Sequence, residues 1–347
     1  MDTLTKPISA PRRRTTADTV YPILLLVSVT HLLNDMMQSV IPAVYPLLKA
    51  KFGFSFAQIG LITLVFQMTS SILQPFVGRY ADRHPRPYSL AAGMCFTLAG
   101  LFALALAPGF APILLAVALI GWGSSIFHPE SSRVAQLASG GRKGLAQSIF
   151  QVGGNAGSAF GPLLAALVVI PYGQTSIMWF APAALLAIGI LLRIGNWYKR
   201  QLTAATAAPV TATAAAAELP RRKIRRALLI LTVLVFSKYF YIACMTNYFT
   251  FFLMDKFAFS VQDAQYSLFA FLAASAAGTV IGGPLGDRIG RKYVIWGSIL
   301  GAAPFTLMLP YANLACTIVL AVVIGLVISS AFSAILVYAT DLMPGKA

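Results

Sequence analysis

The residues of this chain that could do chemistry are few, and they stand inside apolar runs. His31 and Asp35 lie four apart in Thr30-His31-Leu32-Leu33-Asn34-Asp35. Positions i and i+4 share a helix face, so Asp35 can accept a hydrogen bond from His31, with Asn34 beside them. That pair can load and release a proton, or it can simply pin helix packing. A second group, His128-Pro129-Glu130-Ser131-Ser132-Arg133, lets Glu130 and Arg133 pair three apart, while Pro129 removes a backbone donor and loosens the helix. It reads equally as a proton or substrate site and as a structural ion pair with His128 as a neighbour. Lys238 stands between aromatics in Phe236-Ser237-Lys238-Tyr239-Phe240-Tyr241. It could hold an anionic substrate such as a phosphonate or carboxylate, with Tyr239 and Tyr241 beside it, or pair with Asp35. An ionisable side chain at the centre of a membrane helix costs about 3 kcal/mol to insert, so such residues rarely stand there without a use.

The elements that must position these groups are membrane helices. Only 10% of residues are charged, 58% are hydrophobic, and mean hydropathy is +0.77, against roughly 25% charged in an average soluble domain. Apolar runs near the ~20 residues that cross a hydrocarbon core fall at 20–47, 57–78, 88–107, 112–134, 145–169, 176–196, 227–254, 264–285, 293–310 and 313–340. The expected fold is therefore an all-α integral membrane protein with ten transmembrane helices. The first run is too long for a cleavable signal and lacks a small-residue cleavage site.

The net charge of +16 follows the loops. Of 26 Lys and Arg, 22 fall in the two tails and alternate loops, Lys49, Lys51 and Lys256 fall in the opposite loops, and Lys238 falls inside a helix. The positive-inside rule places both termini in the cytoplasm, and a charge that alternates with spans does not read as a nucleic-acid surface. Cys95, Cys244 and Cys316 are scattered through apolar runs, which predicts neither a disulfide nor a metal site. No cofactor motif occurs: His-Glu-x-x-His, Gly-x-Ser-x-Gly and a Walker-type phosphate loop are all missing from the sequence, so neither an enzyme nor ATP-driven transport is expected.

Residues 197–226 form an Ala- and Thr-rich stretch closed by Arg221-Arg222-Lys223-Ile224-Arg225-Arg226, read as a cytoplasmic linker. It follows a tail at 1–19 and a six-helix bundle at 20–196, and precedes a four-helix unit at 227–347. The halves carry matching loops 205 residues apart: Gly78-Arg79-Tyr80-Ala81-Asp82-Arg83-His84-Pro85-Arg86 and Gly283-Pro284-Leu285-Gly286-Asp287-Arg288-Ile289-Gly290-Arg291-Lys292. Two parallel halves related by an axis along the membrane normal are a known transporter plan.

These loops resemble the Gly-x-x-x-Asp-Arg-x-Gly-Arg-Lys pattern of the major facilitator superfamily. Gly283, Asp287, Arg288, Gly290, Arg291 and Lys292 fit it throughout; the first copy keeps Gly78, Asp82, Arg83 and Arg86 but has Pro85 and Pro87 in place of Gly and Lys. The segments His31–Ser39 and Ser124–Arg133 are further similar to bacterial drug-efflux members, and Gly157-x-x-x-Gly161-Pro162 resembles that superfamily's antiporter signature. The resemblance implies twelve helices in two six-helix bundles, alternating access, and export driven by entering protons. Two departures stand out: four helices rather than six in the second half, which reads as truncation, and Val117 where many proton-coupled relatives carry Arg.

Under this resemblance the expected function is a proton-coupled antiporter of the bacterial inner membrane, monomeric, exporting a small anionic toxic compound such as a phosphonate or another drug. A transport-inactive membrane protein and an importer of a small anion are the alternatives. Asp35, His31, Glu130 and His128 would handle protons. Asn34, Lys238, Tyr239, Tyr241 and Arg133 would contact substrate. Gly78, Asp82, Arg83, Gly283, Asp287, Arg288 and Arg291 would form conformational latches, with Asp82 expected to lack its partner in the other half. The partners would be a small molecule, protons and the bilayer.

Overall fold

Apolar helices joined by short capped turns make up nearly all of the described chain, which comprises residues 18–205, 221–331 and 335 in a computed structural model. The side chains at positions 143, 204, 205, 221, 223, 224, 283, 284 and 287 lie outside the description. No strand occurs among the described residues, as expected where lipid offers the backbone no hydrogen bonds and helices satisfy it internally. Among the described residues, nine helical spans are long and apolar enough to cross a membrane: α1 Tyr21–Phe52, α2 Phe56–Arg83, α3 Ser89–Leu106, α4 Phe110–Leu137, α5 Gly144–Tyr172, α6 Gln174–Thr203, α7 Arg225–Phe257, α8 Val261–Gly282 and α9 Arg291–Tyr311. A shorter apolar helix, α10 Leu314–Ser329, follows. The span expected at 313–340 is thus seen as helix to Ser329, and most of its remainder falls outside the described residues.

Local signals fix the turns at one end of the bundle. Gly53 takes φ +68° and closes α1, a backbone conformation that favours glycine. Ser55 and Gln58 then form a reciprocal capping box that starts α2. Ser260 caps α8 through the Asp263 amide, and Asn313 caps α10 through the Cys316 amide. Shifted by 205 positions, the starts of α1 to α4 land within three residues of the starts of α7 to α10, so the repeat extends well beyond the loop motif. The helix of α6 continues to Ala205 and that of α7 begins at Arg221. Lys199 and Arg200 are therefore helical, and positions 206–220 lie outside the described residues.

The first half is organised by the pairing of α1 with α5. A Cβ placed on Gly157 would come within 2.2 Å of the Leu32 carbonyl oxygen, and one on Gly161 within 1.9 Å of Ser39 Oγ. Only glycine allows this approach, and membrane helices lean on such contacts because burial of apolar surface gains little against lipid. Ser28 Oγ donates to the Ile149 carbonyl at 2.7 Å, adding a polar tie to the seam. Pro162 sits inside α5, and the helix widens to a π turn at Ala165–Val169. The second half repeats the device on α8, where Gly278 and Gly282 press against the Leu326 and Ser330 carbonyls.

The halves meet at the end that carries these capped turns. Gln265 Nε2 donates to the Ala43 carbonyl at 2.7 Å, Thr63 Oγ1 to Asn247 Oδ1 at 2.8 Å, and Gln262 Nε2 to the Ala166 carbonyl at 3.2 Å. Phe56 meets Phe251 edge to face at 5.2 Å.

The α1–α5 seam gives a direct expectation. Gly157→Ala drives a methyl into the Leu32 backbone, at about 1–3 kcal/mol for overpacking. Gly189, with nothing within 4 Å of its added Cβ, should tolerate alanine and gain up to about 1 kcal/mol of helix propensity. Thermal unfolding in detergent should show a lowered midpoint for the first variant and not the second; equal midpoints would contradict the tight seam.

Candidate functional site

His31 is 3% exposed, and its two nitrogens have different tasks. Nδ1 lies 2.8 Å from the Phe150 carbonyl oxygen on α5. A carbonyl can only accept, so Nδ1 is the nitrogen that carries hydrogen and donates. The ring lies nearly flat on the Phe150 ring, centroids 4.0 Å apart and planes 16° apart. Nε2 is thereby left facing Asp35 Oδ2 at 3.3 Å. With both groups deprotonated, two lone pairs would confront each other. A single proton between them, on either atom, turns the confrontation into a hydrogen bond.

The remaining contacts complete a buried basin. Asn34 Nδ2 donates to Asp35 Oδ1 at 3.0 Å, and His128 Nε2 approaches the same oxygen at 3.8 Å. Gly154 of α5 forms the floor: a Cβ there would lie 2.3 Å from His31 Cε1 and 2.9 Å from Asp35 Oδ2. The placement of His128 corrects the sequence grouping, which set it with Glu130 and Arg133. At 3.6 residues per turn, His128 and Glu130 leave α4 on nearly opposite sides, and His128 goes to Asp35, its ring 5.2 Å from that of His31.

Glu130 and Arg133 form a separate cluster nearer the end of α4. Glu130 is 1% exposed and its Oε1 lies 3.3 Å from Arg133 Nη1. Ser89 Oγ, at the start of α3, donates to Glu130 Oε2 at 3.3 Å. Arg133 also donates to the Ala81 carbonyl at 2.7 Å, near the end of α2, and pairs through Nη2 with Asp82. Arg133, expected at the substrate, is therefore engaged with the loop motif. Asp82, expected to lack its partner in the other half, has one in its own half. Gly78 lies against Pro129, with 3.5 Å available to an added Cβ, and Arg83 is exposed.

In the second loop the helix of α8 continues past Gly282 to Ile289, and Gly290 takes φ +97° where it turns into α9, a conformation that accounts for glycine there. The first copy turns differently, ending its helix at Arg83, and carries Pro85 instead. Arg288 is exposed and Arg291 partly so; the side chains of Gly283 and Asp287 are outside the description. Lys238 is 4% exposed, with Nζ 5.5 Å from the Tyr239 ring centroid. Tyr241 is not brought to that pair; its hydroxyl accepts from Thr306 of α9 at 3.0 Å.

A family model described as the Major Facilitator Superfamily matches residues 27–347. The chain belongs to this superfamily. Its fold is accordingly that of a multi-pass membrane transporter that binds small-molecule substrates, and the family is not one of enzymes. The chain is 59% identical over 342 residues to the fosmidomycin resistance protein of Escherichia coli (strain K12), covering 98% of this chain and 84% of that one. It is 43% identical over 344 residues to YfnC, an uncharacterized MFS-type transporter of Bacillus subtilis (strain 168), again with 98% and 84% covered. A solved structure of a bacterial homologue of the human lysosomal transporter Spinster, inward-facing and occupied, superposes with a TM-score of 0.73 at 17% identity, over 93% of this chain and 75% of that one. That likeness concerns the fold.

Within this superfamily fold, several site residues escaped the sequence reading. Gln38 follows Asn34 by one turn and accepts from Ser124 Oγ at 3.1 Å, and Asn155 adjoins Gly154 and accepts from Gln151 at 3.0 Å. Gln38 Nε2, Asn155 Nδ2 and Asn34 Oδ1 are buried without a hydrogen-bond partner among the described residues, although the i, i+4 spacing of Asn34 and Gln38 was available as a signal. Removing Arg133 should leave Glu130 as a buried, uncompensated charge at a cost of about 3 kcal/mol. Arg133→Ala should therefore lower the unfolding midpoint, and adding Glu130→Gln should restore part of the loss. An unchanged midpoint in the single variant would show the pair to be dispensable.

Proposed function

We propose that this protein is a proton-coupled antiporter of the bacterial inner membrane that exports a small anionic drug of the phosphonate type, acting as a monomer by alternating access. The observation that carries the reading is the His31–Asp35 contact, where the fixed Nδ1 donation to Phe150 leaves a place for one transferable proton. Asp35 and His31 hold that proton, and His128 stabilises it from α4. Lys238, buried on α7, supplies the positive charge for the substrate, and the amide atoms of Asn34, Gln38 and Asn155 supply hydrogen bonds. The similarity to the fosmidomycin resistance protein supports the substrate class.

Orientation follows from the Lys and Arg bias, with both termini cytoplasmic. The contacts Gln265–Ala43, Thr63–Asn247 and Gln262–Ala166 then lie at the periplasmic end and seal it. In this arrangement the site opens toward the cytoplasm. A drug would bind there in exchange for a proton released inward, and breaking the periplasmic contacts would turn the loaded site outward.

Susceptible cells expressing the protein should resist fosmidomycin, and Asp35→Asn should return them to the level of cells without it. In proteoliposomes the same change should abolish drug-dependent proton flux. Retention of both by Asp35→Asn would overturn the coupling. Lys238→Gln should weaken drug binding about tenfold or more, the loss of one charge-assisted contact of about 1.5–3 kcal/mol.

A further inference from the structure

His31, Asp35 and His128 place three ligating atoms within 4.8 Å of one another. We propose that this trio binds one divalent transition-metal ion of the zinc type, seated between α1 and α4. Neighbouring ligands on a tetrahedral ion with bonds of 2.0–2.1 Å stand roughly 3.4 Å apart. His31 Nε2 lies 3.3 Å from Asp35 Oδ2, and His128 Nε2 lies 3.8 Å from Asp35 Oδ1. Small rotations of Asp35 and His128 therefore suffice to close the site.

The surroundings are those of a metal-binding histidine as well as of a proton carrier. A ligating imidazole characteristically donates its other N–H to a carbonyl or carboxylate, which fixes the tautomer and aims the free lone pair. The Nδ1 contact of His31 with the Phe150 carbonyl does this at 2.8 Å. Asn34 Nδ2 steadies the carboxylate in the same way at 3.0 Å. His31 is enclosed, while the side chains of Asp35 and His128 keep 17% and 26% exposure. That partly exposed side is where a metal ion and a water as fourth ligand would enter. Two imidazoles and one carboxylate suit Zn²⁺, Co²⁺, Ni²⁺ or Cu²⁺; Mg²⁺ and Ca²⁺ prefer all-oxygen shells.

The metal would occupy the place between His31 and Asp35 that the shared proton otherwise fills, so the two exclude each other. Binding is read without any transport measurement, and the metal reading stands whether or not export is proton-driven. The sequence has three histidines; the third, His84, lies exposed beside Tyr80 and serves as an internal control.

The test is Co²⁺ titration of the detergent-purified protein, carrying a tag free of histidine and followed by visible absorption with Zn²⁺ competition. The expected result is one saturable Co²⁺ per chain, with the intense visible bands of a four-coordinate ion, displaced by Zn²⁺. His128→Gln and Asp35→Asn should each weaken binding at least tenfold while the protein remains monodisperse, and His84→Gln should leave it unchanged. No saturable binding to the folded wild type, or equal affinity in both site variants, would overturn the proposal. Two variants are used so that a misfolded one does not decide the matter.

Discussion

The hydrogen bond from His31 Nδ1 to the Phe150 carbonyl is the contact on which the rest of the site depends. It costs α5 no intrahelical bond that matters, since a carbonyl oxygen has two lone pairs. It selects one tautomer of a buried imidazole and so decides which nitrogen meets Asp35. Without it the ring could turn, donate from Nε2 as a neutral group and hold Asp35 as an ordinary structural anion. With it, the His31–Asp35 contact is favourable only with a positive charge between the two groups. A proton or a metal ion satisfies that requirement, and both readings of the site descend from this one bond.

The seam between α1 and α5 makes the bond possible. Phe150 can reach His31 only because the glycines that follow let the two backbones run close together, and Gly154 leaves room for the imidazole itself. The glycine run thus joins packing to the site: a methyl group on Gly154 would clash with the side chains of His31 and Asp35. The His31, Asp35 and His128 side chains that form the site all belong to the first half.

Much of the fold was legible because a bilayer restricts the alternatives. Span length and the 205-residue repeat each reflect a strong constraint, and the helices follow them closely. Within the site, the His31–Asp35 and Glu130–Arg133 pairs were readable because helical spacing alone places them together. What remained hidden depends on contacts between distant segments. The Phe150 carbonyl is a backbone atom 119 residues from His31 and leaves no mark in side-chain chemistry. The Asp82–Arg133 pair joins α2 to α4, and its partner choice depends on which face of α4 turns toward the loop. His128 could have been separated from Glu130 by helical angle, whereas its meeting with Asp35 required the packing of α4 on α1.

Histidine ¹⁵N solid-state NMR of the protein in lipid bilayers, with His31 assigned by comparison with His31→Gln, tests the central claim most directly. The account predicts that Nδ1 of His31 is protonated in every state, with any change on loading confined to Nε2 and the Asp35 carboxyl. A neutral His31 with hydrogen on Nε2 and a bare Nδ1 would contradict it.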